Sequence, residues 1–149
     1  IEWKLNDASA SAGLGYDTFN FTTGLDLSGA SAANKIVVRI ISFATPGDST
    51  AGNPLAMNQR LINTFAFATA SSVTKPTLGT NIADLFTYDV SQFHYSDGTS
   101  SNAGLWAMSF DQNTQTMTLT AVPEPSTYGV GLGAILLAAA AIRRRRRKA

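Results

Sequence analysis

The chain of 149 residues and 15.7 kDa contains no cysteine and a single histidine, His94. This excludes a disulfide framework, an iron-sulfur cluster, a cysteine zinc site and a thiol nucleophile, while the length supports one domain with its own core. The net charge of +1 hides an asymmetry: residues 1–122 hold five cations against nine acids, about −4, and six cations lie in the last seven positions. An acidic body repels phosphates, so the sequence pI near 8.3 is no nucleic-acid footprint and no nucleic-acid partner is expected.

Along residues 1–122 no helical period is sustained. Short runs of Val, Ile, Phe, Tyr, Trp and Thr alternate with clusters of Gly, Ser, Asn, Asp and Pro, which predicts an all-β fold, an antiparallel β-sandwich of jelly-roll type. In chain order, strands are expected at 1–5, 16–22, 35–43, 63–68, 85–90, 93–95, 105–110 and 114–122, with one short helix near 58–64. The run Ile36-Val37-Val38-Arg39-Ile40-Ile41 is apolar on both faces and predicts a central strand in which Arg39 needs a partner or a path to solvent. At the end of this region Trp106, Met108 and Phe110 share one face of a hairpin with Met117, Leu119 and Ala121, and Thr116, Thr118 and Thr120 face the other way. Small polar connections are expected at 8–15, 27–34, 45–54, 71–81 and 96–104.

Sites of chemistry are sparse. His94 lies in Phe93-His94-Tyr95-Ser96-Asp97 with no Gly-x-Ser-x-Gly elbow, and reads as a surface or hydrogen-bonding residue. Only Glu2 and Glu124 are glutamates, and the aspartates sit where turns need backbone acceptors, so no catalytic residue is assigned. Asp97-Gly98-Thr99-Ser100-Ser101-Asn102 and Asp111-Gln112-Asn113-Thr114-Gln115 carry oxygen side chains at alternate positions but lack the glycine and terminal glutamate of a calcium loop. Both read as turns, and no metal and no cofactor are expected. Asn20-Phe21-Thr22 fits a glycosylation acceptor but lies in an expected strand. The aromatics, Trp3 and Trp106 among them, are numerous enough for a sugar platform, yet a core of this size requires most of them.

Residues 128–142 (YGVGLGAILLAAAAI) hold no charge and no proline. As an α-helix this run covers about 22 Å, short of the bilayer's apolar core of about 30 Å, a marginal span. Arginines that snorkel to the headgroups lengthen it, and Tyr128 stands where an interfacial aromatic belongs. The run therefore predicts a transmembrane helix of Tyr128, Gly129, Gly133, Leu136, Leu137 and Ile142 among others. The cations Arg143, Arg144, Arg145, Arg146, Arg147 and Lys148 favour the cytoplasmic side, which places residues 1–122 across the membrane. Ile1-Glu2-Trp3-Lys4 has neither the charged nor the apolar part of a signal peptide, so the chain reads as a mature form after signal removal. The expected organisation is an extracytoplasmic domain at 1–122, a spacer at 123–127, a membrane helix at 128–142 and a basic tail at 143–149.

Pro123, Glu124 and Pro125 precede this helix, and both prolines bias their neighbours toward extended backbone, giving a stiff and accessible spacer. Pro-Glu-Pro, then an apolar helix, then an arginine cluster resembles the PEP-CTERM sorting signal of exported Gram-negative bacterial proteins, over residues 123–149. The resemblance implies a substrate of an exosortase, a membrane cysteine peptidase or transpeptidase that processes the chain near Pro-Glu-Pro. Pro123, Glu124 and Pro125 would then be read by that enzyme, the helix would hold the substrate in the lipid bilayer, and the arginines would set its orientation. The body is expected to be a non-enzymatic surface protein. Two alternatives remain open: an accessory subunit of a larger membrane complex, to which Gly129 and Gly133 lend a close-packing helix face, and a polysaccharide-binding module.

Overall fold

A computed structural model describes residues 1–76 and 80–123. The described residues are mostly β, with nine strands: β1 (Glu2–Leu5), β2 (Phe19–Phe21), β3 (Leu25–Asp26), β4 (Ile36–Ser42), β5 (Asn63–Ala70), β6 (Val73–Thr74), β7 (Phe86–Gln92), β8 (Trp106–Asp111) and β9 (Thr116–Ala121). A three-stranded sheet has the order β1-β4-β7, a four-stranded sheet the order β2-β5-β9-β8, and β3 pairs with β6 alone. The all-β reading of residues 1–122 holds, and β4 is the central strand of its sheet as its sequence foretold.

The expected antiparallel, jelly-roll pairing is corrected. Strands β1, β4 and β7 run parallel, as do β2 with β5 and β3 with β6. Among the strands of the described residues, β5 with β9 and β8 with β9 are antiparallel. The cause is the path of the chain, which passes from one large sheet to the other between β1 and β2, β4 and β5, and β7 and β8. A strand that returns to its sheet after such an excursion comes back pointing the same way, whereas a hairpin such as β8-β9 stays in its sheet and reverses.

Local differences have similar causes. Residues 16–22 do not form one strand, because Tyr16 bridges Leu5 and the Asp17 N–H donates to Lys4 O at 2.9 Å, whereas Phe19 pairs with Ala68 in the other sheet. The expected strand at 93–95 is reduced to a single bridge between His94 and Ser100. The expected helix near 58–64 is a turn instead: the Asn58 side chain accepts from Arg60 N–H at 2.8 Å, and β5 begins at Asn63. Two short 3-10 turns, Ile82–Leu85 and Ala103–Leu105, were not foreseen. Their signal was in plain view, since Asn81 and Asn102 cap them by accepting from Ala83 and Gly104 N–H groups.

Both large sheets contribute to one apolar core. Trp3 of β1 and Val38 and Ile40 of β4 join Phe65 and Phe67 of β5, Trp106 and Met108 of β8 and Leu119 of β9 in a single buried cluster. Ring centroids of Trp3 and Phe65 are 5.1 Å apart, and Trp106 meets Phe93 edge-on at 5.1 Å. The hairpin alternates as expected, with Trp106, Met108, Met117, Leu119 and Ala121 buried and Phe110 half-buried. On the open face of the parallel sheet the register aligns Glu2, Arg39 and Asp89, and Arg39 bonds both acids, Asp89 at 3.0 Å and Glu2 at 3.4 Å. Arg39 thus has both the partner and the path to solvent that its sequence required.

Gly15 is the tightest backbone approach. An added Cβ would run into the Asp7 carbonyl oxygen and stand 2.6 Å from the Ala10 Cβ. Gly15→Ala is therefore expected to destabilise by about 1–3 kcal/mol, the usual cost of overpacking. Gly29→Ala, with nothing within 4 Å of its new Cβ, is expected to be neutral or stabilising by up to about 1 kcal/mol. Denaturation midpoints of the two variants check the contrast.

Candidate functional site

The sorting segment leaves the body from the middle of the four-stranded sheet. Strand β9 lies between β5 and β8, and its last residue, Ala121, faces Asn63 on one side and Trp106 on the other. Val122 is held one residue further, its N–H donating to Leu105 O at 2.8 Å. Pro123 follows, half-buried, and has no N–H to continue the ladder. The body is thus pinned up to the residue before Pro-Glu-Pro, and the first proline ends the pairing.

Of the residues expected to form the sorting site, Pro123 is the one described. Glu124, Pro125, Tyr128, Gly129, Gly133, Leu136, Leu137, Ile142 and the cations Arg143, Arg144, Arg145, Arg146, Arg147 and Lys148 lie outside the described residues, as does the expected membrane helix. Among the described residues no helix is long and apolar enough to cross a membrane.

Within the body the acids are engaged as turn acceptors. Asp7, Asp26, Asp89, Asp97 and Asp111 are each followed two positions on by Ser, Thr or Asn. Each accepts that residue's backbone N–H, as in Ser28 N–H to Asp26 at 2.8 Å and Asn113 N–H to Asp111 at 2.8 Å. Hydroxyl bonds from Ser9, Ser91 and Thr99 act most strongly on Asp7, Asp89 and Asp97, and the backbone bonds of Ser28 and Asn113 on Asp26 and Asp111; they favour the ionised form and hold all five carboxyls below the ordinary value of 3.8. For Asp97 the largest cause is the Thr99 hydroxyl at 2.7 Å, and Gln59 donates to the second oxygen at 2.9 Å. Carboxyls of this kind stay charged at neutral pH and cannot serve as general acids. The repeated Asp-x-Ser/Thr/Asn spacing was legible in the sequence as turn chemistry, and both loops weighed as calcium sites are such turns. Among the described residues no three metal-ligating groups gather.

His94 is half-buried. Its backbone N–H donates to the hydroxyl of the fully buried Ser42 at 2.8 Å, and its Nδ1 is buried without a hydrogen-bond partner. A cleft of about 450 Å³ lies beside it along the chain, lined by Met57, Arg60, Leu61, Ser96 and Asp97 among others. The Ser96 hydroxyl there is spent on Pro54 O at 2.7 Å and Met57 O at 2.9 Å, bonds that fix the loop rather than arm a nucleophile.

A second cleft, about 370 Å³, is lined by Phe86, Tyr88 and Trp106. The Tyr88 hydroxyl is buried and lacks a hydrogen-bond partner. Burial pushes it up from 10.0 to about 12. The unfolded phenol ionises first, so the stability that Tyr88 contributes below pH 10 is lost as pH rises toward about 12. Tyr88→Phe is expected to be neutral or slightly stabilising at pH 7, since it removes an unsatisfied hydroxyl. It should also flatten the alkaline fall in stability between pH 10 and 12, read from denaturation midpoints against the parent chain.

No curated protein and no solved structure matches the chain. The family model of the PEP-CTERM protein-sorting motif matches residues 121–147, from the end of β9 through the apolar run and the arginine cluster. The chain therefore carries a PEP-CTERM protein-sorting motif at its C-terminal end, the address of an exported protein sorted by an exosortase.

Proposed function

We propose that the chain is a non-enzymatic, membrane-anchored surface protein: a β-sandwich displayed outside the cytoplasm and delivered by its C-terminal signal. In this reading residues 123–127 form a stiff spacer, 128–142 a single membrane helix and 143–149 a cytoplasmic basic end, which together hold the chain in the bilayer until the sorting enzyme cuts it near Pro-Glu-Pro. The observation that carries it is the direct continuation of a central strand, pinned through Val122, into the matched motif. The matched motif begins where the pinned strand ends, so the sorting enzyme would meet the body on a short stalk. The single core shared by two large sheets supports the sandwich. The commitment of five aspartates to turns supports a binding or structural role over catalysis. The sugar-platform reading loses its main candidates, because Trp3 and Trp106 are both buried in the core.

Topology is tested in intact cells. The chain has no cysteine, so single cysteines report cleanly. A membrane-impermeant maleimide is expected to label Asn113→Cys once the outer membrane is opened, and to spare Ala149→Cys in chains that still carry their tail. Labelling of Ala149→Cys with protection of Asn113→Cys would reverse the proposed orientation.

A further inference from the structure

Leu61, Ile62 and Val122 are large apolar side chains left open to solvent, with exposures of 59%, 68% and 38%. They stand together at the end of the four-stranded sheet from which the chain departs. Asn63 faces Ala121 in the β5-β9 register, so one step outward places Ile62 beside Val122. Ala121 points into the core, and the alternation of a strand turns Val122 away from it. Leu61 is not a loose tip, for the Asn63 side chain donates to Leu61 O at 3.0 Å and to Asn58 O at 3.2 Å. Arg60, exposed, comes next along the chain.

We infer that the ridge of Leu61, Ile62 and Val122 is the lipid-facing end of the body, seated in the headgroup-acyl boundary of the bilayer that holds residues 128–142. The inference rests on the membrane-anchor reading above. Its occupant follows from the length of chain beyond the ridge. Residues 123–127 span at most about 18 Å fully extended, and a body of this size, with a radius of gyration of about 14 Å, is about 36 Å across. A stalk half that length cannot carry the end opposite Val122 to the membrane, so the body meets the bilayer with the half that carries Val122. That end bears the apolar ridge, with a cation beside it whose stem can lie along the apolar surface while its head meets lipid phosphate. The opposite end of the same sheet is the polar hairpin turn at Gln112–Gln115, where Asp111 faces Thr116.

The full chain is reconstituted in dioleoylphosphatidylcholine vesicles containing a spin-labelled phosphatidylcholine whose nitroxide lies near the glycerol backbone. A fluorophore is placed in turn at Ile62→Cys, Val122→Cys, Asn113→Cys and Leu137→Cys. Ile62, Val122 and Asn113 are exposed, and a label at each is expected to leave the denaturation midpoint unchanged. Quenching by the lipid nitroxide is expected to be severalfold greater at 62 and 122 than at 113, and label 62 should be shielded from an aqueous quencher. Label 137 is read with a second lipid whose nitroxide lies deep in the acyl chain: quenching there, with none at 62 and 122 by the shallow nitroxide, overturns the inference and leaves the anchor standing. Absence of quenching at 137 by the deep nitroxide overturns both.

Discussion

Trp3→Ala is expected to remove about 3–5 kcal/mol of folding stability, the usual cost of truncating a buried tryptophan. Trp3 is fully buried and joins the two large sheets: it belongs to β1, and its ring meets Phe65 of β5 at 5.1 Å and Trp106 of β8 at 6.4 Å. Its indole N–H donates to Asp17 O at 2.6 Å, at the point where the chain leaves one sheet for the other. Truncation therefore opens a cavity between the sheets and orphans a carbonyl at the crossing. Since a domain of this size is stable by about 5–15 kcal/mol in total, the loss is a large share of the whole. Trp3→Phe keeps much of the packing and forfeits the hydrogen bond, with an expected cost of about 1–3 kcal/mol. Urea titration followed through the remaining Trp106 fluorescence measures both. A loss below about 1 kcal/mol for Trp3→Ala would mean that the sheets do not depend on this contact.

The second large effect concerns sorting. Replacing Pro123, Glu124 and Pro125 together by Ala is expected to leave export intact and to slow processing of the tail by about tenfold or more, equivalent to about 1.4 kcal/mol or more of recognition. Parent protein recovered from its own cells should lack the arginine-rich end by mass spectrometry, and the variant should retain it and stay in the membrane fraction. The denaturation midpoint of the body should not change, because the ladder ends at Ala121 and the last backbone bond belongs to Val122. An intact Arg-Lys-Ala end on the parent chain would refute cleavage, and identical processing of both chains would show that Pro-Glu-Pro is not what the enzyme reads.

Much of the body was legible because alternation of apolar and polar residues reports burial directly. The β8-β9 hairpin is the clearest case: its inward face of Trp106, Met108, Met117, Leu119 and Ala121 was readable from period two alone. Strand β4 was recognisable as central, yet one face of it is open, with Val37 and Arg39 exposed. The two-residue strands β3 and β6 escaped notice, since two residues carry no period. The helix expected at 58–64 failed because Leu61 and Ile62 are apolar without being buried, and sequence cannot separate those two conditions.

By itself the sequence determined the segregation of charge, the β character of residues 1–122 and the sorting motif after them. Each is a property of composition or of a short ordered pattern, which needs no partner strand to be expressed. Tertiary structure alone decided that the strands pair largely in parallel, that Tyr16 and Phe19 serve different sheets, that Arg39 is shared between Glu2 and Asp89, and that Ile62 stands beside Val122. These are relations between residues far apart in the chain. Side-chain alternation is the same for a strand read in either direction, so strand direction and pairing emerge only when the chain crosses from sheet to sheet around a common core.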